Sequence, residues 1–384
     1  MASIVETAPL VLNVGAVLLV AATSGLAARR IGLPAIVGYL LTGLMVSPFT
    51  PGLVAESNQI ALLADIGVVL LLFEVGIEID LRRIKKEQGA LIWASPLQVI
   101  LGTALGTPLF LALGIPLYGA ALMGLSVAMS SSVVIVNITR SRRRTTSVAT
   151  EDALLGWSVL QDITGVALGA LIITLLGKGS ESPFSAVLGL IGFTVLAIIA
   201  SKLLPFLLRL IRWENDLFLI YSVAFGLSIA ALGTVLFDIP MALASFVAGL
   251  AINQSSDTDE VRKAVLPFRD LFQVLFFVVI GSLVQPDLII EALPFTAVIL
   301  SAMVLIKTLP AFLFSRFGKI GDSAGQLSVG LSQIGEFSFV LGSAALAANV
   351  LSKVQFTGVL LSVIISIMVS TLAVRRASRI PRSI

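Results

Sequence analysis

Few residues in this chain could do chemistry, and they sit where charge is expensive. Asp162, with Gln161 beside it, lies inside Ala153–Leu176, a stretch apolar and long enough to cross a bilayer as a helix. A crossing needs about 20 residues at ~1.5 Å rise each. A carboxylate at that depth costs about 2.5–3.5 kcal/mol even on the lenient insertion scales, so it does not face lipid. The chemistry open to it is the binding of a small positive ion, a proton included. One turn either way, Ser158, Gly165 and Val166 share its face, with Gly169 two turns on. Small residues there let other helices, water or an ion come close. The plainer alternative is a structural aspartate bonded to a neighbouring helix.

Four other positions compete for attention. Ser130, Ser131 and Ser132 interrupt an apolar run at 117–138. Serines in membrane helices usually bond back to a carbonyl one turn earlier. Alternatively the helix unwinds there and offers main-chain oxygens to a cation. Glu336, in Gly330–Phe339, puts a charge and a glycine (Gly335) inside another run. Lys307 lies within Ala297–Phe314; Arg316 and Lys319 already occupy the nearby basic end, so a buried role is favoured over snorkelling, with Asp162 or Glu336 as its partner. Glu74 is ambiguous between an ion route and a subunit interface.

The elements that must position these residues follow from composition. The chain has 384 residues, 57% hydrophobic and 12% charged, which no soluble domain matches. The apolar runs are continuous rather than alternating, so they are helices and not barrel strands. Cysteine and histidine are absent, which removes disulfides, thiol catalysis and histidine metal sites. No nucleotide loop, metal motif or dinucleotide fingerprint is present, so no enzyme, cofactor or nucleic-acid partner is expected.

Breaks at charges, glycine and proline give about thirteen spans. They are 8–27, 33–48, 58–78, 89–113, 117–138, 153–176, 184–208, 216–237, 239–252, 267–284, 290–314, 323–348 and 355–374. Basic clusters follow the odd-numbered spans, from Arg29–Arg30 through Arg140 and Arg142–Arg144 to Arg375 and Arg376. The positive-inside rule then sets the N-terminus outside and the C-terminus in the cytoplasm.

The chain also repeats. Leu33–Leu44 resembles Ile239–Leu250 at a shift of 240 − 34 = 206, Asp65 and Gly76 find Asp270 and Gly281 at 205, and Gly124–Ser126 finds Gly330–Ser332 at 206. The expected organisation is one transmembrane transport domain, 1–384. Its first repeat is 1–176, a linker helix covers 177–212, and the second repeat is 213–384. Six spans per repeat with one span between them invert the second copy. Asp162 has no acidic counterpart, since 162 + 206 is Met368, so one ion site per subunit follows. Interruptions in corresponding spans point to a crossed pair of broken helices.

Together Gln161-Asp162, Ser130–Ser132, Phe73–Asp80 and Gly335–Phe337 resemble the monovalent cation:proton antiporter superfamily, on the branch of Kef-type potassium/proton and bacterial sodium/proton antiporters. The resemblance implies an all-α polytopic membrane protein with the NhaA-like antiporter fold, and a homodimer in the lipid bilayer of a bacterial plasma membrane. It implies K⁺ or Na⁺ exchanged for protons by alternating access. The cation/proton-binding residues would be Asp162, Gln161, Ser130, Ser131 and Ser132, supported by Lys307, Glu336 and Glu74. A Gln-Asp pair resembles the electroneutral Kef side. Kef-type proteins carry a cytosolic nucleotide-binding domain after the membrane part; residues 1–384 contain none, leaving it as a missing or separate regulatory partner. The alternatives are a channel-like potassium efflux protein and a sodium-coupled organic-anion symporter of the same fold.

Overall fold

The computed structural model describes residues 4–47, 57–78, 89–131, 134–135, 147–176, 214–237, 241–252, 258–335 and 337–377, with scattered residues between 189 and 206. Among these every regular element is helical. In order they are α1 (Ile4–Arg30), α2 (Ala35–Met45), α3 (Ser57–Glu78), α4 (Leu91–Ala112), α5 (Leu117–Ala128), α6 (Val148–Leu176), α7 (Asn215–Phe237), α8 (Met241–Ile252) and α9 (Thr258–Ser282). Then α10 (Ile289–Met303) runs through a π turn (Val304–Thr308) into α11 (Leu309–Gly318), followed by α12 (Ala324–Leu331), α13 (Phe337–Ala347) and α14 (Lys353–Ala377).

Among the described residues seven helices are long and apolar enough to cross a membrane. The other six expected spans are short (α2, α8), broken in two (α5 and the α12/α13 pair), lie largely outside the described residues (184–208), or, for 58–78, form the continuous 22-residue helix α3, which is not among the seven. Large apolar side chains such as Leu12 and Leu19 on α1, Val235 on α7 and Ile290 on α10 stay exposed on the protein, as lipid-facing positions must. The chain is a polytopic helical membrane protein. One boundary moves: α9 starts at Thr258 rather than 267, because its first turns carry Arg262 and Arg269 on the same helix face, bonded to a buried acid on α3.

Local signals fix the breaks between helices. Gly32 at φ +90° closes α1, and Pro34 leads into α2. Gly114 at φ +80° closes α4, and Pro116 precedes α5. Ser147 Oγ accepts from Thr150 N–H at 3.3 Å and caps α6; Ser323 Oγ does the same for Gln326 N–H and α12.

The chain divides into two compact units, each drawn from both halves of the sequence. The first comprises Met1–Arg30, Ala35–Asp80 and Gly179–Pro286; the second comprises Ile31–Pro34, Leu81–Lys178 and Asp287–Ile384. In the first, α2 packs on α9 and α8 on α3 through glycines that let main chain touch main chain. A Cβ on Gly43 would collide with Val278 O, and one on Gly281 with Leu40 O. In the other pair a Cβ on Gly249 would collide with Phe73 O and stand 2.9 Å from Gly76 Cα. These contacts relate by the sequence shift, since 43 + 206 = 249 and 76 + 205 = 281. Gly67 packs against Phe272 O, 2.5 Å from its would-be Cβ, and 67 + 205 = 272, so this position meets its own counterpart. Val17, Ala21, Val46, Leu275 and Val278 fill the space beside it.

Gly281→Ala therefore sets a methyl into a main-chain carbonyl. Overpacking of this kind costs about 1–3 kcal/mol. Thermal unfolding in detergent is expected to show a clearly lowered midpoint for Gly281→Ala, and none for Gly15→Ala, whose Cβ would meet nothing within 4 Å.

Candidate functional site

The second unit brings two interrupted helices together at their breaks. After Ala128 the chain turns extended at Met129 (φ −93°, ψ 143°), and helix α12 ends at Ser332 (φ −78°, ψ 58°). No proline marks either interruption; what replaces the lost helical bonds is the other break. Gly335 N–H donates to Met129 O at 3.1 Å, and Ser130 Oγ donates to Leu331 O at 2.8 Å. Ser131 N–H donates to Gln333 Oε1 at 2.9 Å, while Gln333 Nε2 returns a bond to Ser131 O at 3.2 Å. A Cβ on Gly335 would lie 2.6 Å from Ser130 O, so the approach depends on glycine. Residues 129 and 335 differ by 206, and they are the two that bond directly.

Lys307 locks the crossing. It is fully buried, and its ammonium donates to Met129 O at 2.7 Å and to Gln333 O at 2.5 Å. The π turn Val304–Thr308 delivers it; Leu309 N–H reaches back five residues to Val304 O, and the extra residue rotates the helix face at this point. Both α5 and α12 end at the crossing, and each C-terminus carries roughly half a negative charge, so one ammonium offsets the pair. A carboxylate partner, Asp162 or Glu336, was expected for Lys307; its hydrogen bonds among the described residues go to two main-chain oxygens, which leave no trace in a sequence, and Glu336 lies outside those residues.

Asp162 sits on α6 and is 1% exposed. Its face is turned to the crossing: a Cβ on Gly165 would run into the Met129 side chain, and Gly169 lies against Leu125 of α5 and Leu341 of α13. Ser158 and Val166, on the same face, are buried as well. Gln161 accepts from Ser130 N–H at 3.2 Å and donates to Gln98 on α4, which in turn donates to Ala128 O at 3.2 Å. From α14, Ser366 Oγ accepts from Ile334 N–H at 3.0 Å and Ser370 Oγ donates to Val329 O at 2.8 Å, holding the second break from outside. Below, Leu91, Leu154, Trp157, Leu160, Ile320 and Leu327 pack the ends of these helices.

Of the residues singled out by sequence, Asp162, Gln161, Ser130, Ser131 and Lys307 gather in this unit. Ser130 does not bond back along its own helix, as Ser126 does to Leu122 O; it bonds across the crossing. Ser132 and Glu336 lie outside the described residues. Glu74 belongs to the first unit, where it is 1% exposed and held by Arg269 Nη1 at 2.6 Å and Arg262 Nε at 3.0 Å. Arg269 also bonds Asp270 at 2.7 Å. Those charge-assisted bonds tie α3 to α9 and account for the acid structurally. Sequence reasoning missed Gln98, Gln333 and Ser366. An amide inside an apolar span, as at 98, was the available signal for the first.

Gln333→Leu would orphan the main-chain N–H of Ser131, while Ser131 O keeps its bond from Ile135 N–H; one buried group left unmade costs roughly 1–3 kcal/mol. The expected result is a lowered unfolding midpoint in detergent; an unchanged midpoint would show the amide clamp to be dispensable.

The family model described as sodium/hydrogen exchanger, transmembrane, matches residues 15–378. The putative cation/proton antiporter YbaL of Escherichia coli (strain K12) is 31% identical over 377 residues, covering 94% of this chain and 67% of YbaL. The structure of the sodium proton antiporter MjNhaP1 from Methanocaldococcus jannaschii at pH 8 superposes with a TM-score of 0.72 at 17% identity, over 97% of this chain and 98% of that one, and so shares the fold. The chain belongs to the transmembrane sodium/hydrogen exchanger family.

Proposed function

We propose that the protein exchanges a monovalent cation, K⁺ or Na⁺, for protons by alternating access, with Asp162 taking the two in turn. The observation that carries this reading is a buried carboxylate on the face of α6 that packs against the crossing of two interrupted helices. The family membership and the antiport named for YbaL and MjNhaP1 support it.

Oxygen counting narrows the remaining ligands. Met129 O already takes two donors and is saturated. Ser130 Oγ spends its proton on Leu331 O and keeps lone pairs for a cation, whereas Ser131 O takes two donors, Gln333 Nε2 and Ile135 N–H, and is saturated as well. Asp162 and the Ser130 hydroxyl oxygen offer oxygen ligands only, the kind a hard alkali cation takes. When Asp162 is deprotonated it binds the cation, and when protonated it lets the carrier cross without it. One carboxylate serving both ions enforces exchange, and a neutral Gln161 beside it makes the exchange one for one and electroneutral. The protein works as a homodimer in the plasma membrane, with the N-terminus outside and the C-terminus in the cytoplasm.

The test uses proteoliposomes with an internal pH dye and an imposed pH gradient, adding Na⁺, K⁺ and choline in turn, with and without valinomycin. One alkali cation is expected to dissipate the gradient regardless of membrane potential, and Asp162→Asn to reduce this to the protein-free background. Exchange at the wild-type rate in Asp162→Asn would sink the assignment. Competition also fixes a sign: protonation removes the cation's ligand, so the apparent KM for the cation rises as pH falls. The rise approaches about tenfold per pH unit once the carboxyl is mostly protonated.

A further inference from the structure

Gln98, on α4, is fully buried and takes part in a hydrogen-bond relay that begins and ends on main chain. Ser130 N–H donates to Gln161 Oε1, Gln161 Nε2 donates to Gln98 Oε1, and Gln98 Nε2 donates to Ala128 O. The polarity of both ends is fixed, since a main-chain N–H only donates and a carbonyl only accepts. Neither amide can turn over without setting like groups face to face. Position 161 must therefore accept from Ser130 and donate to Gln98 at once.

A carboxamide does both, and so does a protonated carboxyl. An ionised carboxylate only accepts. It would aim a charged oxygen at Gln98 Oε1, and Gln98 could not turn its amide to meet it, because Ala128 O requires that amide's N–H. In a buried site such an opposition is far costlier than in water. We propose that Gln98 is a positioning residue that admits only an uncharged group at position 161, and so fixes at one the carboxylates of the 161–162 pair that can ionise. The consequence for exchange rests on reading Asp162 as the transport carboxylate: coupling stays at one proton per cation even when an acid stands at 161, as long as Gln98 is present.

The experiment compares full-length Gln161→Glu with the double variant Gln161→Glu/Gln98→Lys, reconstituted in lipid. Lysine at 98 supplies donors only, so it can satisfy Ala128 O and a carboxylate together. Infrared difference spectra against wild type are expected to show the carbonyl band of a protonated acid in Gln161→Glu throughout the working pH range. In the double variant that band should give way to a carboxylate band. Should lysine prevent folding, Gln98→Ala removes the opposing oxygen and is expected to give the same change. In transport assays Gln161→Glu should remain insensitive to membrane potential, because an acid that stays protonated adds no charge to either half of the cycle, whereas Gln161→Glu/Gln98→Ala, whose acid is free to take up and release a second proton, should become potential-driven. An ionised acid at position 161 with Gln98 intact, or potential-driven exchange in the single variant, would overturn the role of Gln98. Exchange persisting in Asp162→Asn would instead remove the transport reading and leave the infrared result to stand alone.

Discussion

The second unit depends on one constraint: two helices stop in mid-span, and their freed main-chain groups must find partners away from water. Each such group left unmade at membrane depth costs several kcal/mol. The solution is reciprocal. Met129 O receives Gly335 N–H, Leu331 O receives the Ser130 hydroxyl, and Gln333 clamps both sides of Ser131. Lys307 closes what remains by donating to one carbonyl from each break. A buried ammonium would be untenable alone; here two helix C-termini and two carbonyls make the counter-charge. Neither break is stable without the other, and the lysine is stable only with both.

The same logic explains why small and neutral residues surround the crossing. Gly335 brings main chains to a separation that no Cβ permits, and Gly165 leaves room for Met129 beside Asp162. Gln98, Gln161 and Gln333 are fully buried, and each bonds main chain directly while carrying no charge. Charge is thus confined to Lys307 and Asp162 among the described buried residues of this cluster. The first unit is built differently: glycine contacts recur at the repeat shift, and Glu74 with its two arginines ties α3 to α9.

Much of this was legible in the sequence, for identifiable reasons. Asp162 stands out because any carboxylate in an apolar span does, and Ser130–Ser131 and Gly335 because the 206-residue shift aligns their interruptions. The expectation of about thirteen spans follows from apolar length and basic flanks, whereas the antiporter fold comes from the resemblance carried by Gln161-Asp162, Ser130–Ser132, Phe73–Asp80 and Gly335–Phe337. The partners of Lys307 were not legible, because carbonyl acceptors belong to every residue alike. Its placement depends on a π turn that Val304–Thr308 does not announce. Gln333 gives no signal of its own, since a lone amide next to Gly335-Glu336 carries no periodicity. Glu74 is ambiguous in sequence because the apolar run alone starts α9 at 267, beyond the reach of Arg262.

The bonding at the crossing also bears on how a cation could be released. On the proposed mechanism the ligands must be good enough to strip water from an alkali ion and weak enough to let it go. If Met129 O and Gln333 O were open they would add strong carbonyl dipoles to Asp162; Lys307 holds both. Ser131 O is taken up too, by Gln333 Nε2 and Ile135 N–H, which leaves the Ser130 hydroxyl oxygen as a thin supplement to one carboxylate. A proton, which needs only the carboxylate, then competes on nearly equal terms with an ion that needs several ligands. On that mechanism Lys307, by occupying the carbonyls, both holds the break and keeps the cation from outbinding the proton.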